Sequence, residues 1–329
     1  MSRLNSNFVR RIFFFRNIVE SKTYEAGRNY SEVSSNWTIR NITEVDIPKI
    51  AEIRKSPTCH DCLYSLYSFH KLDPEAIIVA ENDNGNIIGT HSMLTFAKGF
   101  YTSGLTYVHP NYRGSNLAFQ LIRKGMERHR HKNRGVGFTF KQWTNMTSHL
   151  IGAKTEIGFN VQEYVSTESM HTNLLSDNLP GDTTIHPLET NHLELIYDYD
   201  LQVVGCERRA FLDLSFNEPH CKTLIALKNE RCVGFGSVKL TVWGAKRVGP
   251  LYADDSKIAE ALLKSLLEGF PQGKGVAVVI PPANSEALKL MNKSNIPLSK
   301  DLYQVHEDGV PQSDMLKVYA LFDVSGTSI

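Results

Sequence analysis

Two α/β domains of one design are what the sequence predicts, and three observations predict them. The chain has 329 residues, too many for one typical core and enough for two. Its apolar fraction of 41% and charged fraction of 22% are those of a soluble globular protein. Above all, a pattern of strand, polar turn, strand, strand, helix, strand occurs twice along it.

In the first copy, residues 37–40 read as a strand, and 42–53 as a helix entered at Thr43-Glu44-Val45-Asp46. Residues 76–81 and 87–96 are apolar strands flanking an Asn/Asp/Gly turn. Then come a strand over 105–108, a helix over 117–131 and a strand over 136–140. A helix over 148–156, ending at Gly158, and a strand over 161–165 complete the copy. In the second copy, strands at 223–227 and 232–240 flank a polar turn. A strand at 249–252, a helix at 258–267, a strand at 276–280 and a helix at 285–291 follow. Ile77-Ile78-Val79-Ala80 matches Leu224-Ile225-Ala226-Leu227, and Leu117-Ala118 with Leu121 matches Ile258-Ala259 with Leu262. The polar stretch SDNLPGDTT, 176–184, joins them. The expected organisation is a basic segment over 1–35, a domain over 36–175, a linker over 176–184 and a second domain over 185–329.

Several classes are disfavoured. A net charge of +1 gives none of the global basic surface usual in nucleic-acid binders. Apolar runs of five or six residues do not span a bilayer. Five cysteines, an odd number, argue against a disulfide framework. Cys59-His60-Asp61-Cys62 has the spacing of half a zinc site, but no second ligand pair follows, so the expectation is reduced thiols near a helix start and no metal. Residues 1–19 carry four arginines and no acid, which reads either as a mitochondrial transit peptide or as a basic tail. The expected location is accordingly intracellular, cytoplasmic or mitochondrial.

The chemistry is concentrated in YVHPNYRGSNLAFQL, residues 107–121. Pro110 ends a strand because it cannot donate to a ladder. Arg113-Gly114-Ser115-Asn116-Leu117-Ala118 then turns into a helix, so unpaired N–H groups and the helix dipole converge where an anion can bind. Gly114 lets the backbone approach a phosphate and Arg113 adds charge.

This stretch resembles motif A of the GNAT acetyltransferase superfamily, whose Arg-x-x-Gly-x-Gly/Ala loop holds the pyrophosphate of acetyl-CoA. Arg113 is the first position, Asn116 stands in place of the second glycine, and Ala118 fills the last. Asn145 through Gly158-Phe159 looks like motif B. The stretches GPLYADDSKIAEALL and VIPPANSEALKLM look like the C-terminal half of tandem members of the family. The resemblance covers the chain from about Trp37. It implies two tandem domains, each a mixed, mostly antiparallel twisted sheet flanked by helices, and an N-acyltransferase moving acetyl from acetyl-CoA to a primary amine. The alternative is a catalytically weak, CoA-binding regulatory or scaffold protein. Residues implied at the cofactor are Tyr107, Val108, Arg113, Gly114, Ser115, Asn116, Leu117, Ala118, Asn145 and Ser148.

Departures from the pattern are as informative. Lys154 falls where the family's proton-donating tyrosine stands, and Ser148 where its asparagine stands. Tyr164 and Tyr107 are alternative donors. His109 and His91 are the candidate bases, histidine being suited to accept a proton near neutrality. Arg123, Lys124, Arg128, Arg130, Lys132 and Arg134 form a basic cluster that either holds a 3′-phosphate or solvates a helix face. In the second copy Ala253-Asp254-Asp255-Ser256 replaces the phosphate loop, and two carboxylates there repel a pyrophosphate. One CoA site per chain is therefore expected. Asp198, Asp200, Glu207, Asp213 and Glu218 read as acidic surface or as a patch for a polycationic acceptor.

Overall fold

A computed structural model describes residues 36–56, 59–129, 134–141, 154–168, 170–307 and 312–322. From Trp37 onward the chain is one compact unit. Strand β1 (Trp37–Asn41) leads through a 3-10 turn into α1 (Ile47–Ile53), and α2 (Leu63–Leu72) follows. Strands β2 (Ile77–Asn82) and β3 (Ile87–Ala97) form a hairpin whose turn is held by Asn82 Oδ1, which accepts from the amides of Asn84 and Asn86. Then come β4 (Phe100–Val108), α3 (Leu117–Met126), β5 (Arg134–Thr139) and β6 (Lys154–Ser166).

The second half repeats the order with β7 (Thr183–Pro187), α4 (Leu193–Val204), α5 (Arg209–Phe216), β8 (Cys221–Lys228) and β9 (Arg231–Leu240). It continues with β10 (Lys246–Ala253), α6 (Ser256–Glu268), β11 (Val276–Ile280), α7 (Ser285–Ser294), β12 (Leu298–Glu307) and β13 (Val318–Ala320). One expectation is overturned. Residues 154–156, expected in a helix, are the start of β6, where Lys154 pairs with His306. Residues 142–153 lie outside the described residues.

All strands join one mixed sheet, in the order β1-β2-β3-β4-β5-β12-β6-β11-β10-β9-β8-β7, with β13 added on β10. Among the described residues only β4–β5 and β10–β11 pair in parallel. At the centre the halves exchange strands: β12 of the second half lies against β5 of the first, and β6 of the first lies against β11 of the second. The two exchanged strands pair with each other along most of their length. The 176–184 segment thus divides the sequence but not the sheet.

The core follows the same logic. On one face, α1, α2, α4 and α5 bury Ile47, Leu66, Ile196 and Phe211 in a single apolar cluster that runs from Ile42 to Phe322 across both halves. On the other face the cores are separate. Leu117 and Leu121 of α3 pack in the first half, and Ile258, Leu262 and Leu266 of α6 in the second, each at helical spacing. Burying side chains of this size contributes roughly 1.5–3 kcal/mol apiece before entropy is counted.

A charged cluster sits within the shared face. Glu163 of β6 is buried, with His60 Nε2 at 2.7 Å and Lys300 Nζ of β12 at 2.7 Å. Burial opposes its ionisation, but His60 and Lys300 outweigh that and hold its carboxyl down at about 2. A carboxyl lowered in the folded state stabilises the fold above its unfolded value and loses that contribution as pH falls through the folded value. Stability should therefore decline between about pH 4.5 and about pH 2. In Glu163→Gln, which removes the buried charge that Lys300 and His60 engage, the loss at neutral pH should be about 3 kcal/mol by urea unfolding, with a flatter acid limb.

Candidate active site

Strands β4 and β5 pair only from Phe100–Arg134 to Ser103–Gly137. Beyond that rung they separate, and among the described residues the edge of β4 from Gly104 to Val108 has no strand partner on the β5 side. The cause is a bulge. Between Thr90 and Ser92 of β3 the facing strand β4 carries an extra residue, and Leu105 takes a φ of +51°. Its diverted carbonyl accepts from Thr90 Oγ1 at 2.5 Å and from Arg54 Nη1 at 3.1 Å. Arg54 is itself fixed by the buried Asp61, Nε to Oδ2, at 2.5 Å. The CHDC stretch therefore works as a brace: His60 engages Glu163, and Asp61 engages the arginine that holds the bulge.

At the open end of β4 the chain makes one 3-10 turn, Pro110–Tyr112, and then enters α3. Ser115 Oγ donates to the Tyr112 carbonyl at 2.7 Å and accepts from the Leu117 amide at 3.3 Å. Gly114 has a φ of +84°, with nothing within 4 Å of the position of a Cβ. Among the described residues, the amides of Gly114, Asn116 and Ala118 find no acceptor, and they face the start of a ten-residue helix. Arg113 is exposed, with its Nε donating to the Val108 carbonyl at 3.2 Å, which stations the guanidinium beside these amides.

Asn116, which takes the place of a glycine, proves compatible with this loop. Its φ is −83°, not left-handed, so a Cβ costs no strain there. Its Oδ1 accepts from Gln120 Nε2 at 3.0 Å, and Gln120 Oε1 accepts from Trp37 Nε1 at 3.0 Å. The side chain is thus drawn along the helix and away from the loop.

The other candidates separate. His91 is buried beneath α3, against the position of a Cβ on Gly125, with Nδ1 2.9 Å from Thr106 Oγ1. Burial lowers its pKa to about 4, so the ring is neutral at pH 7. His109 sits at the turn, and its Nδ1 accepts from the Asn111 amide at 3.3 Å. Tyr107 is half-buried on β4 beside the opening, next to Val108. Tyr164 packs instead in the core of the second half and donates to Gln162 Oε1 at 3.0 Å, which removes it from this cleft. Burial raises its pKa. Lys154 is a strand residue rather than part of a helix at the cleft. Asn145, Ser148, Arg130, Lys132 and residues 1–35 lie outside the described residues.

Of the basic cluster, Arg128 is tied to Asp73 and Glu75, and Arg134 lies over the Phe100 ring. The acid-rich stretch is a surface patch only in part: Asp198 and Glu207 are exposed and Asp213 is half-buried, but the other two acids are covered. Asp200 is buried against Arg208 at 2.7 Å, and Glu218 against Lys239 at 2.8 Å.

The second half answers the first like a filled mould. Strands β10 and β11 also separate after three rungs, at Val248–Val278. Here the gap is taken by the chain itself. β13 pairs with β10 through Leu251–Ala320 and Tyr252–Val318, and the Leu321 amide donates to the Val279 carbonyl at 2.8 Å. Asn284 Nδ2 holds the insert through the carbonyls of Leu316 and Val318, at 2.9 and 3.0 Å. At the start of α6 the Asp255 carboxylate accepts from the amides of Lys257 and Ile258, at 2.9 and 3.0 Å. Both places that are open in the first half are closed in the second.

The comparisons with known proteins agree. The acetyltransferase (GNAT) family profile matches residues 45–148, and an acetyltransferase (GNAT) domain profile matches residues 196–320. No functionally curated protein matches the chain. Among solved structures, a protein of Pyrococcus horikoshii provisionally assigned as an acetyltransferase is similar at 16% identity and a TM-score of 0.70, over 94% of this chain and all of its own. A tandem GNAT protein from the clavulanic acid biosynthesis pathway is similar at 10% identity and a TM-score of 0.61, over 82% of this chain and 98% of its own. The N-myristoyltransferase of Saccharomyces cerevisiae, with bound myristoyl-CoA, is similar at 9% identity and a TM-score of 0.58, over 92% of each chain. At these identities the structural likeness is one of fold.

Asp255→Ala, which uncaps α6, should cost about 1 kcal/mol in thermal unfolding and should create no binding of CoA in the second half.

Proposed function

Because the chain belongs to the GNAT superfamily, with one family domain in each half, we propose that it transfers an acetyl group from acetyl-CoA to a primary amine at a single site, in the first half. The observation that carries this reading is the contrast between the two clefts. One has an unpaired β4 edge from Gly104 to Val108 and unpartnered amides at Gly114, Asn116 and Ala118. The other is filled by β13 and capped by Asp255.

A pyrophosphate suits the first loop, because oriented N–H groups and the helix dipole favour an anion and Arg113 adds a full charge. An amide-bearing pantetheine arm suits the strand edge, because it can take up the hydrogen bonds that β5 leaves unmade. With the thioester so held, the amine nitrogen attacks its carbonyl carbon; the C–N bond forms, the C–S bond breaks, and the thiolate takes up a proton as nitrogen gives one up. His91 is neutral but enclosed, and His109 uses Nδ1 within its own turn, so water is the carrier we assign to that proton. The reading as a CoA-responsive module with little turnover leaned on Asn116, whose geometry leaves the loop intact, and on the absence of the family's proton-donating tyrosine, which water can replace as proton carrier.

Titration calorimetry of the full chain with acetyl-CoA should show one equivalent bound. Gly114→Glu should lose about 100-fold or more in affinity, since it places a carboxylate where the anion lies and a side chain at positive φ. Thiol release with a panel of spermidine, lysine, an amino sugar and a peptide with a free N-terminus should then identify the amine class. His109→Gln should lower kcat by less than about ten-fold, the range below a dedicated general base. Absence of acetyl-CoA binding to the wild type would sink the reading.

A further inference from the structure

On the reading that acyl transfer takes place between β4 and β5, we propose that Gln304, contributed by the second half, positions the acceptor: its side-chain carbonyl oxygen takes a hydrogen bond from the acceptor's N–H.

Gln304 lies on the exchanged strand β12, directly opposite Phe138 of β5. Residues opposite each other in an antiparallel pair share a face. Phe138 and Leu302, the latter two residues before Gln304, both pack on the face that carries Leu105 and the α1 and α2 core. Gln304 therefore looks out on that face too. Phe138 is also the first β5 residue past the last β4–β5 rung, Ser103–Gly137, so Gln304 stands beside the point where the two strands part.

The side chain is only 1% exposed, yet among the described residues its Oε1 is buried with no hydrogen-bond donor. Among the described residues His91 Nε2 and Arg247 Nη1 on the same sheet share this state, but the amide side chain on the neighbouring β6 is satisfied. Gln162 of β6, for comparison, donates to Asp301 at 2.9 Å and accepts from Tyr164 at 3.0 Å. Buried carbonyl oxygens in native proteins are nearly always satisfied, and one left orphaned is explained most economically by a donor that arrives with a ligand.

The chemistry fits an amine in particular. An amine attacks through its lone pair and so must be uncharged while keeping its N–H groups engaged. A carboxylate at this point would favour the ammonium form; a neutral amide oxygen accepts the same N–H without holding the proton on. Gln304 is thus a positioning residue for a primary or secondary amine, and the second half, whose own cleft is filled, supplies part of the acceptor wall of the first.

Gln304→Met keeps the length of the side chain and removes the acceptor. Its KM for the best amine of the panel above should rise about ten-fold or more, the loss of one hydrogen bond, while acetyl-CoA affinity stays within about two-fold. Its Tm should hold or rise, because an orphaned buried oxygen has gone. In Gln304→Glu the pH profile of kcat/KM should shift to the alkaline side, as the carboxylate stabilises the ammonium form. An unchanged amine KM in a folded Gln304→Met overturns the proposal and leaves the acyltransferase reading standing. Parallel loss of acetyl-CoA affinity and amine KM marks Gln304 as structural and overturns it as well. If the wild type binds acetyl-CoA but releases thiol with no amine of the panel, the acceptor assignment and the proposal fall together.

Discussion

The exchange of β6 and β12 is the constraint on which the rest of the molecule depends. Each half lends its sixth strand to the other, so neither β5 nor β11 has a complete neighbourhood without the opposite half. The buried Glu163 locks the arrangement: it belongs to the first half, faces Lys300 of the second, and meets His60 from the loop before α2. Removing Lys300 and His60 together would leave a carboxylate uncompensated in the interior, which is far costlier than never having buried it. The shared apolar face says the same in hydrophobic terms, since its residues come from helices of both halves.

From that centre a short relay reaches the cleft. His60 and Asp61 are neighbours in the chain; one faces Glu163 and the other fixes Arg54, whose Nη1 holds the carbonyl of Leu105. The bulge at Leu105 turns β4 away from β5, and the opening so made is what distinguishes the first half chemically. The second half makes the same opening and fills it with β13. The two halves thus carry two mouths of one design, one open among the described residues and one occupied by the chain.

Much of this was legible in the sequence where the physics is local. The hairpin turn after Asn82, the proline that ends β4, Gly114 at positive φ and the amphipathic spacing of α3 are set by residues a few positions apart. The repeat was legible because apolar patterning survives divergence. What was not legible is long-range. Nothing near Gln304 or Phe138 shows that they will face each other across 166 positions, and the exchange could not be read from either half alone. The helix expected over 148–156 rests on the local pattern ending at Gly158, but from Lys154 onward the chain extends as β6, paired with β12 from the far end of the sequence. His91, Asp200 and Glu218 are all buried, which was not legible because composition does not say which face of an element is covered.

The strand exchange also sets an order in time. As the chain leaves the ribosome, β5 emerges with its outer edge bare, and its partner β12 lies some 160 residues further on. Strand β6 waits likewise for β11. Until almost the whole polypeptide has been made, the first half holds the loop before α3 but an unfinished sheet, with the exposed edge that invites misassembly. A chain stopped short of β12 is therefore not a smaller acyltransferase with one domain missing. It is a nascent intermediate, frozen at the stage when a cell most needs its chaperones.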